Sequence, residues 1–250
     1  MNRGFGPALV RSFSDARELA QAAAAYVARQ AERALAERDG FRIALAGGST
    51  PKALYAALAE PGILARVAWS RWQIWFSDER VVPAEDAASN YRMAYEALLG
   101  RVPIPKGAIH RVQTELGAER AAELYELELG ADPCDLVLLG IGDDGHTASL
   151  FPGSPALLED RRRVVAAPSP VAPLERVTFT FRALNEARAV LFLISGATKA
   201  ERVAEVLSEL AADRPLLPAS RVRPRGSLCF YLDAAAAARL PAGTPPEEEP

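Results

Sequence analysis

The chain has 250 residues, of which 50% are hydrophobic and 24% charged, and its formal net charge is −3. A chain of this length can bury a sizeable core, and α/β folds of this size commonly form one domain. The small net charge argues against general binding to nucleic acid or membrane, so any anionic ligand must be held by local groups. We expect one domain at residues 1–240, present as a monomer or small homo-oligomer.

The chain ends and the cysteines indicate a location. Residues 1–13 lack the apolar core that a signal peptide needs, and no apolar run approaches the length of a membrane span. Cys134 and Cys229 lie in apolar stretches and have no neighbour at metal or redox spacing. We therefore expect a cytoplasmic protein. The final stretch PAGTPPEEEP, residues 241–250, has too little apolar content to pack and is expected to be a disordered tail.

The hydrophobic pattern of the sequence alternates between that of helices and that of buried strands. Ser14 is expected to cap a first helix that runs to about residue 36 and ends at Gly40. Short apolar stretches typical of buried strands follow at 41–46, 72–77, 134–140, 177–181, 189–195 and 228–232. Helical patterns lie between them at 51–60, beginning with Pro51, at 90–99, capped by Ser89, and at 117–129 and 198–211.

This alternation predicts a Rossmann-like α/β fold, with a mostly parallel sheet and helices on both of its faces. Ligands of such sheets bind beyond the carboxyl ends of the strands. The loops that follow predicted strands are therefore the places to look for function, and they lie at 47–50, 77–83, 140–153 and 195–199.

The first of these loops combines two glycines with two hydroxyls. Gly47 and Gly48 allow a ligand to approach the backbone, and Ser49 and Thr50 lie at a helix N-terminus, where free N–H groups favour an anion. A tight turn with a Ser or Thr cap explains the same residues equally well.

Charged residues end two further strands. Arg80 can grip a phosphate or carboxylate, and Asp78 or Glu79 can orient it or contact sugar hydroxyls. Lys199 follows the strand at 189–195 and is expected in the first turn of a helix, where a lysine opposes the helix dipole unless an anion is near. Solvated strand ends and a solvated lysine remain the alternatives.

The loop at 140–153 contains G-x-G-x-x-G at Gly140, Gly142 and Gly145, the pattern of a dinucleotide-binding turn. Asp143 and Asp144 between the glycines would face the pyrophosphate, and no acidic residue follows about twenty positions later to hold a ribose. The sequence therefore argues against a dinucleotide cofactor, and we expect no cofactor of any kind.

His146 is the best candidate for a general base, with Asp144 as the carboxylate that fixes its tautomer. The chain has only two histidines, and His110 lies in a strand-like stretch without a motif. A structural role for His146 is the alternative. Gly142 and Gly145 of the same turn are assigned to substrate binding. The spacing of histidines and cysteines predicts no metal site.

In chain order, these stretches resemble the 6-phosphogluconolactonase family. The resemblance covers residues 46–200 through AGGSTP, FSDERVVP, SNYRMA, GIGDDGHTASLFPGSPAL, RVTFT followed by LN, and SGATKA. It implies hydrolysis of 6-phosphoglucono-δ-lactone to 6-phosphogluconate in the oxidative pentose phosphate pathway. It also implies that His146 is the base, that Arg80 and Lys199 bind substrate, and that residues 47–50 line the sugar-phosphate site. Arg176 matches the arginine that opens the RVT strand.

Two rival functions remain. The related glucosamine-6-phosphate deaminases share the glycine loops, but they have tyrosine where this chain has Arg80 and IAFNEPG where it has TASLFPG. This chain thus lacks a glutamate that amine loss and ring isomerisation would use. A non-catalytic sugar-phosphate sensor is the second rival, and the intact Asp-Gly-His sequence ending at His146 argues against it.

Overall fold

A computed structural model of the protein describes residues 8–241. Residues 1–7 and, except for Pro241, the expected tail at 241–250 lie outside the described residues. The described strands are β1 (Leu9–Phe13), β2 (Phe41–Leu45), β3 (Trp72–Phe76), β4 (Asp78–Arg80), β5 (Leu136–Leu139), β6 (Val164–Pro168), β7 (Glu175–Phe179), β8 (Ala189–Ile194) and β9 (Ser227–Asp233). The described helices are α1 (Ala16–Glu37), α2 (Ser49–Leu58), α3 (Pro61–Leu64), α4 (Asn90–Ala94), α5 (Ala118–Leu129), α6 (Phe181–Glu186) and α7 (Ala200–Ala211).

Six strands form a main sheet in the order β1-β9-β8-β5-β2-β3, and every neighbouring pair is parallel. A parallel strand that is covered on both faces must be apolar along its whole length, and β8 is buried at all six positions. Leu191 and Leu193 of β8 enter the core on one face, and Phe192 and Ile194 enter the core on the other. The predicted mostly parallel sheet is confirmed.

The two faces of the main sheet have different covers. Helices α1, α2 and α4 pack on one face, where small residues of α1 such as Ala23 and Ala24 are fully buried. Helices α5 and α7 pack on the other face, together with a second, smaller sheet. The predicted helices on both faces are thus confirmed, with a small sheet added to one of them.

The small sheet has the order β4-β7-β6, and its pairs are antiparallel. The stretch predicted as a strand at 177–181 belongs here as β7, not in the main sheet. Its partner β4 has three charged residues, Asp78, Glu79 and Arg80, and apolar periodicity cannot detect such a strand. The small sheet matters because it fixes the backbone of these three predicted site residues.

Asp15, not Ser14, caps α1. The Asp15 carboxylate accepts hydrogen bonds from the backbone N–H groups of Arg17 (2.9 Å) and Glu18 (2.8 Å). Ser14 takes part differently, because its backbone N–H donates to the Glu18 carboxylate at 2.7 Å. The expected cap was therefore wrong by one residue, since adjacent Ser and Asp are both good caps and the carboxylate is the one that occupies the position.

Three other helix ends also differ from expectation. Helix α1 ends with Arg38 as its C-cap, two residues before Gly40. Helix α2 begins at Ser49, two residues before Pro51, with Gly48 as its N-cap. Helix α7 begins at Ala200 after a short 3-10 turn at Ala197–Lys199, so Lys199 precedes the first turn. Ser89 caps α4 as predicted, its hydroxyl accepting from the Arg92 N–H at 3.1 Å.

Candidate active site

The loops after β2, β3, β5 and β8 meet at one end of the main sheet, here called the carboxyl edge, because parallel strands all end there. Direct contacts join these loops. The hydroxyls of Thr50 and Ser195 lie 2.7 Å apart. Lys199 Nζ donates to Asp143 at 2.6 Å. The Ser149 hydroxyl donates to the Asp78 carboxylate at 2.6 Å, which joins the loop after β3 to the loop after β5. The structure therefore brings together the four loops that the sequence singled out.

The glycine loop at 47–50 reaches the carboxyl edge ahead of α2. A Cβ atom on Gly47 would lie 2.1 Å from the Asn90 side-chain oxygen, so only glycine fits there. Gly48 is the N-cap residue of α2, and because it has no side chain, it makes no capping hydrogen bond to the first backbone N–H groups of the helix. Ser49 and Thr50 form the first turn of α2. This helix N-terminus can accept an anion at the carboxyl edge.

Asp78 is buried, and its side chain is hydrogen-bonded to other residues of the protein. Its side chain is only 8% exposed, and its carboxylate accepts a hydrogen bond from the Ser149 hydroxyl at 2.6 Å. The Asn90 amide donates to the Asp78 carbonyl (2.8 Å) and carboxylate (3.3 Å). Asp78 thus ties β4 to the loop that contains His146 and to α4. Contact with sugar hydroxyls remains a prediction.

Glu79 is also buried, and it holds the start of α4. Its carboxylate accepts hydrogen bonds from the backbone N–H groups of Arg80 (2.8 Å), Asn90 (2.7 Å) and Tyr91 (2.7 Å). Burial raises the pKa of the Glu79 carboxyl, and these hydrogen bonds partly offset that rise. The residue orients the backbone on which Arg80 lies.

Arg80 and Arg176 face each other across β4 and β7. Arg80 donates to the Ala88 carbonyl at 2.8 Å, and Arg176, which is 5% exposed, donates to the Ser169 hydroxyl at 3.3 Å. Arg80 Nε and Arg176 Nη1 are buried and have no hydrogen-bond partner among the described residues. Burial lowers the pKa of Arg176, and the charge of Arg80 lowers it further. Guanidinium groups are strong partners for phosphate and carboxylate, so these two adjacent groups are candidates for binding an anion.

His146 and Asp144 form a close pair in the turn at 142–146, here called the histidine turn. His146 Nδ1 lies 2.5 Å from Asp144 Oδ1, which also accepts the His146 backbone N–H at 3.0 Å. Burial raises the pKa of the Asp144 carboxyl, but the hydrogen bonds from His146 outweigh it, and the pKa is lowered. The imidazole is 29% exposed and packs against Phe151, with ring centroids 4.4 Å apart. The arrangement leaves Nε2 as the nitrogen that can serve as a base.

The backbone of the histidine turn is shaped for this pair. A Cβ atom on Gly142 would lie 2.0 Å from His146 Nδ1 and 2.8 Å from Asp144 Oδ1, so any other residue would displace the ring. The Gly142 N–H donates to the His146 carbonyl at 2.9 Å, and the Gly145 carbonyl accepts from the Ala219 N–H at 3.0 Å. Residues 140–153 form turns and an isolated bridge rather than the helix that follows a dinucleotide-binding turn.

Lys199 lies beside the histidine turn but on Asp143. Its ammonium group is 26% exposed and pairs with the Asp143 carboxylate, which is 80% exposed. Arg202, three residues later, donates from Nε to the Asp143 carbonyl at 2.9 Å. The structure thus places Lys199 at the carboxyl edge as predicted, with a carboxylate as its partner.

Three residues at the site were not predicted from the sequence, namely Asn90, Ser149 and Arg202. Asn90 and Ser149 lie within stretches that carry the family resemblance, yet only the fold reveals that both contact Asp78. Arg202 had one available signal, because it follows Lys199 by three positions within the helix predicted at 198–211, and residues three apart on a helix share a face.

Neither a metal centre nor a bilayer-crossing segment is found in the described part of the chain. Within residues 8–241, no three His, Cys, Asp or Glu side chains are grouped as metal ligands. None of the helices described there has both the length and the apolar character needed to cross a membrane.

The fold and the candidate site together define the structural class of this protein. A parallel α/β sheet with glycine loops, a helix N-terminus and a His–carboxylate pair at its carboxyl edge belongs to the α/β proteins that bind small ligands beyond their strand ends. The family follows from comparison. Residues 14–230 match the family described as glucosamine-6-phosphate isomerases/6-phosphogluconolactonase, and the chain belongs to that family.

Individual relatives cover nearly the whole chain. It is 40% identical to human 6-phosphogluconolactonase over 249 residues, which span 94% of each protein. It is 41% identical to 6-phosphogluconolactonase of Synechocystis sp. over 218 residues, covering 83% of this chain and 88% of that protein. The crystal structure of 6-phosphogluconolactonase from Thermotoga maritima matches with a TM-score of 0.80 and 34% identity, covering 90% of this chain and 99% of that one.

Proposed function

We propose that this protein hydrolyses 6-phosphoglucono-δ-lactone to 6-phosphogluconate, the second step of the oxidative pentose phosphate pathway. The observation that supports it most is the His146–Asp144 pair, 2.5 Å apart, at the carboxyl edge of a chain 40% identical to the human lactonase. A δ-lactone is a reactive ester, and its opening needs water, one base and polarisation of the carbonyl. The site contains a candidate for the base and needs no metal for this chemistry.

In the proposed mechanism, Nε2 of His146 removes a proton from a water molecule as the water oxygen attacks the lactone carbonyl. The imidazolium then returns that proton to the ring oxygen as the C–O bond breaks, so the proton is conserved and the base is restored. The Asp144 carboxylate accepts a hydrogen bond from the Nδ1–H group throughout and stabilises the positive charge that forms on the ring. General base catalysis of this kind contributes about 10²- to 10⁴-fold, and positioning contributes the rest.

The phosphate group is proposed to bind Arg80 and Arg176. The two arginines lie side by side on β4 and β7, and each has a buried N–H group without a partner among the described residues. A phosphate dianion would neutralise the two positive charges and accept hydrogen bonds from the guanidinium groups. Lys199 and the N-terminus of α2, with Gly47, Gly48, Ser49 and Thr50, supply further positive potential at the carboxyl edge. Gly142 and Gly145 contribute indirectly to substrate binding in this proposal, because the absence of a side chain leaves room for the His146 ring at Gly142 and for Leu217 at Gly145.

The location, domain organisation and partners of the protein are also part of the proposed function. We place the enzyme in the cytoplasm, supported by two buried free cysteines, Cys134 and Cys229, typical of a reducing compartment. We treat residues 1–240 as one catalytic domain, because the two cores lie on opposite faces of one main sheet. Its partner is the sugar-phosphate lactone, without a role for nucleic acid or membrane.

A direct assay tests this function. Purified protein with a chelator and without nucleotide is mixed with freshly prepared 6-phosphogluconolactone in weak buffer, and acid release is followed against the spontaneous rate. Rapid acid release supports the proposal. The same preparation is assayed for ammonia release from glucosamine 6-phosphate, which tests the deaminase alternative. Ammonia release without lactone hydrolysis would overturn the proposal in favour of the deaminase.

A further inference from the structure

Arg202 of α7 contacts the histidine turn from outside it. Its Nε–H group donates to the Asp143 carbonyl at 2.9 Å, and another of its nitrogens pairs with Glu205 one helical turn away. Asp143 immediately precedes Asp144, the partner of His146. The Arg202 side chain is 28% exposed, so this hydrogen bond is partly shielded from water.

The other end of the same turn is held in a similar way. The Ala219 N–H donates to the Gly145 carbonyl at 3.0 Å, on the opposite side of Asp144. The segment that contains Ala219 is itself attached to α7, because the Glu209 carboxylate accepts from the Leu217 N–H at 2.9 Å and from the Ser220 hydroxyl at 2.5 Å. The carbonyls on both sides of Asp144 are thus fixed by groups that depend on α7.

These contacts determine where the Asp144 carboxylate lies. The Asp143 carbonyl belongs to the peptide group that joins Asp143 to Asp144, and the Gly145 carbonyl belongs to the one that joins Gly145 to His146. Holding both restricts the backbone of Asp144 and His146, whose side chains lie 2.5 Å apart. Lys199 holds only the exposed Asp143 carboxylate, a contact that a substrate anion can displace. The Arg202 contact is to the backbone and survives that exchange.

We propose that Arg202 is a positioning residue, which holds the histidine turn so that Asp144 stays hydrogen-bonded to His146. Its kinetic consequence rests on the proposed lactonase function, whereas its structural consequence does not. The matched control is Glu205→Gln, which removes the ion pair on the helix and leaves the Arg202 Nε contact intact.

The structural test is nuclear magnetic resonance of the histidine side chains in the whole protein. The sequence has only two histidines, so a His110→Asn variant assigns the signals. The wild type should show a strongly downfield Nδ1 proton from the His146–Asp144 hydrogen bond. Arg202→Met should lose or shift this resonance at an unchanged melting temperature, and Glu205→Gln should keep it. An unchanged resonance in Arg202→Met would overturn the proposal. If this variant does not fold, Arg202→Gln is measured instead under the same criteria.

The kinetic test separates positioning from substrate binding. Arg202→Met should lower kcat by about ten- to a hundredfold, the effect expected of a misplaced catalytic group, with KM changed by less than about twofold. The loss should be equal for 6-phosphogluconolactone and for unphosphorylated gluconolactone. A raised KM with unchanged kcat would mark Arg202 as a substrate ligand and overturn the proposal. If the wild type lacks lactonase activity, the proposed function fails, and the resonance alone decides the role of Arg202.

Discussion

Arg80 and Arg176 lie directly opposite each other on the antiparallel strands β4 and β7, although like charges at such positions repel. Arg176 is 5% exposed, and each guanidinium has a buried N–H group without a partner among the described residues. An arrangement that costs stability in the free protein is expected at a site where a ligand supplies the missing charge. We therefore propose that the phosphate group binds at this pair.

Arg80→Gln is the first prediction. A hydrogen bond to a charged group contributes about 1.5–3 kcal/mol, equivalent to about ten- to a hundredfold. The kcat/KM for 6-phosphogluconolactone should fall by about that factor, whereas slow turnover of unphosphorylated gluconolactone should barely change. Lys199→Met should behave in the same way. Arg92→Gln, which removes an exposed pair with Glu96, serves as the control. Equal losses on the two lactones would contradict phosphate binding by the altered residue.

Arg176→Met should separate binding from stability. Burial lowers the pKa of Arg176, which means that the fold disfavours its charged form. An arginine side chain stays protonated in proteins, so burying this charge costs stability at neutral pH. The variant should melt at the same temperature as the wild type or about 2–4 °C higher, the shift expected for about 1 kcal/mol in a chain of this size. Inorganic phosphate should raise the melting temperature of the wild type and not of the variant. A lower melting temperature in phosphate-free buffer would contradict this account.

Asp144→Asn gives a pH prediction. The folded-state pKa of Asp144 lies below its ordinary value, so the unfolded chain binds a proton first as the pH falls. The stability due to Asp144 ionisation should be complete above about pH 4 and should be lost as the pH falls through the lower folded-state pKa. Urea unfolding of both proteins between pH 7 and pH 3 checks this. The difference in unfolding free energy should narrow only at the acidic end, and a difference that widens there would be inconsistent with the His146–Asp144 hydrogen bond.

Gly142→Ala tests the shape of the histidine turn. The added Cβ would lie 2.0 Å from His146 Nδ1, so the ring must move, and a displacement of about 1 Å can cost about a hundredfold in rate. Gly107→Ala is the matched control, because a Cβ there meets nothing within 4 Å. Stopped-flow or pH-stat kinetics should show a large loss only in Gly142→Ala. Equal rates in the two variants would show that the turn tolerates a displaced ring.

The parallel sheet was predictable because its strands are buried on both faces and therefore apolar along their whole length, as β8 is. Strand β4 could not be predicted, because its three residues are all charged. It forms only by pairing with β7, which lies about a hundred residues later in the chain. The edge strand β1 was not predicted either, because Arg11 and Ser12 interrupt its apolar pattern. Antiparallel pairing and edge positions are properties of tertiary structure that a local pattern does not encode.

In the candidate site too, contacts between near neighbours in the sequence could be predicted, and contacts between distant residues could not. His146 and Asp144 are two residues apart, so glycine spacing and chemistry sufficed to pair them, and the structure has them 2.5 Å apart. The contacts of Asp78 with Ser149, and of Arg202 with Asp143, join residues 71 and 59 positions apart. Such distant pairs become visible only when the sheet brings strand ends together.

The most direct measurement is the rate of 6-phosphogluconolactone hydrolysis by His146→Ala beside His110→Ala. His110 stacks on Trp75 and lies 2.6 Å from both Glu128 and Gln73, so its loss should lower the melting temperature. Its variant should nevertheless keep most of the activity. His146 lies in a turn at the carboxyl edge, and its variant should stay folded while losing about 10²- to 10⁴-fold in kcat. Equal kcat values in the two variants would contradict the assignment of His146 as the general base.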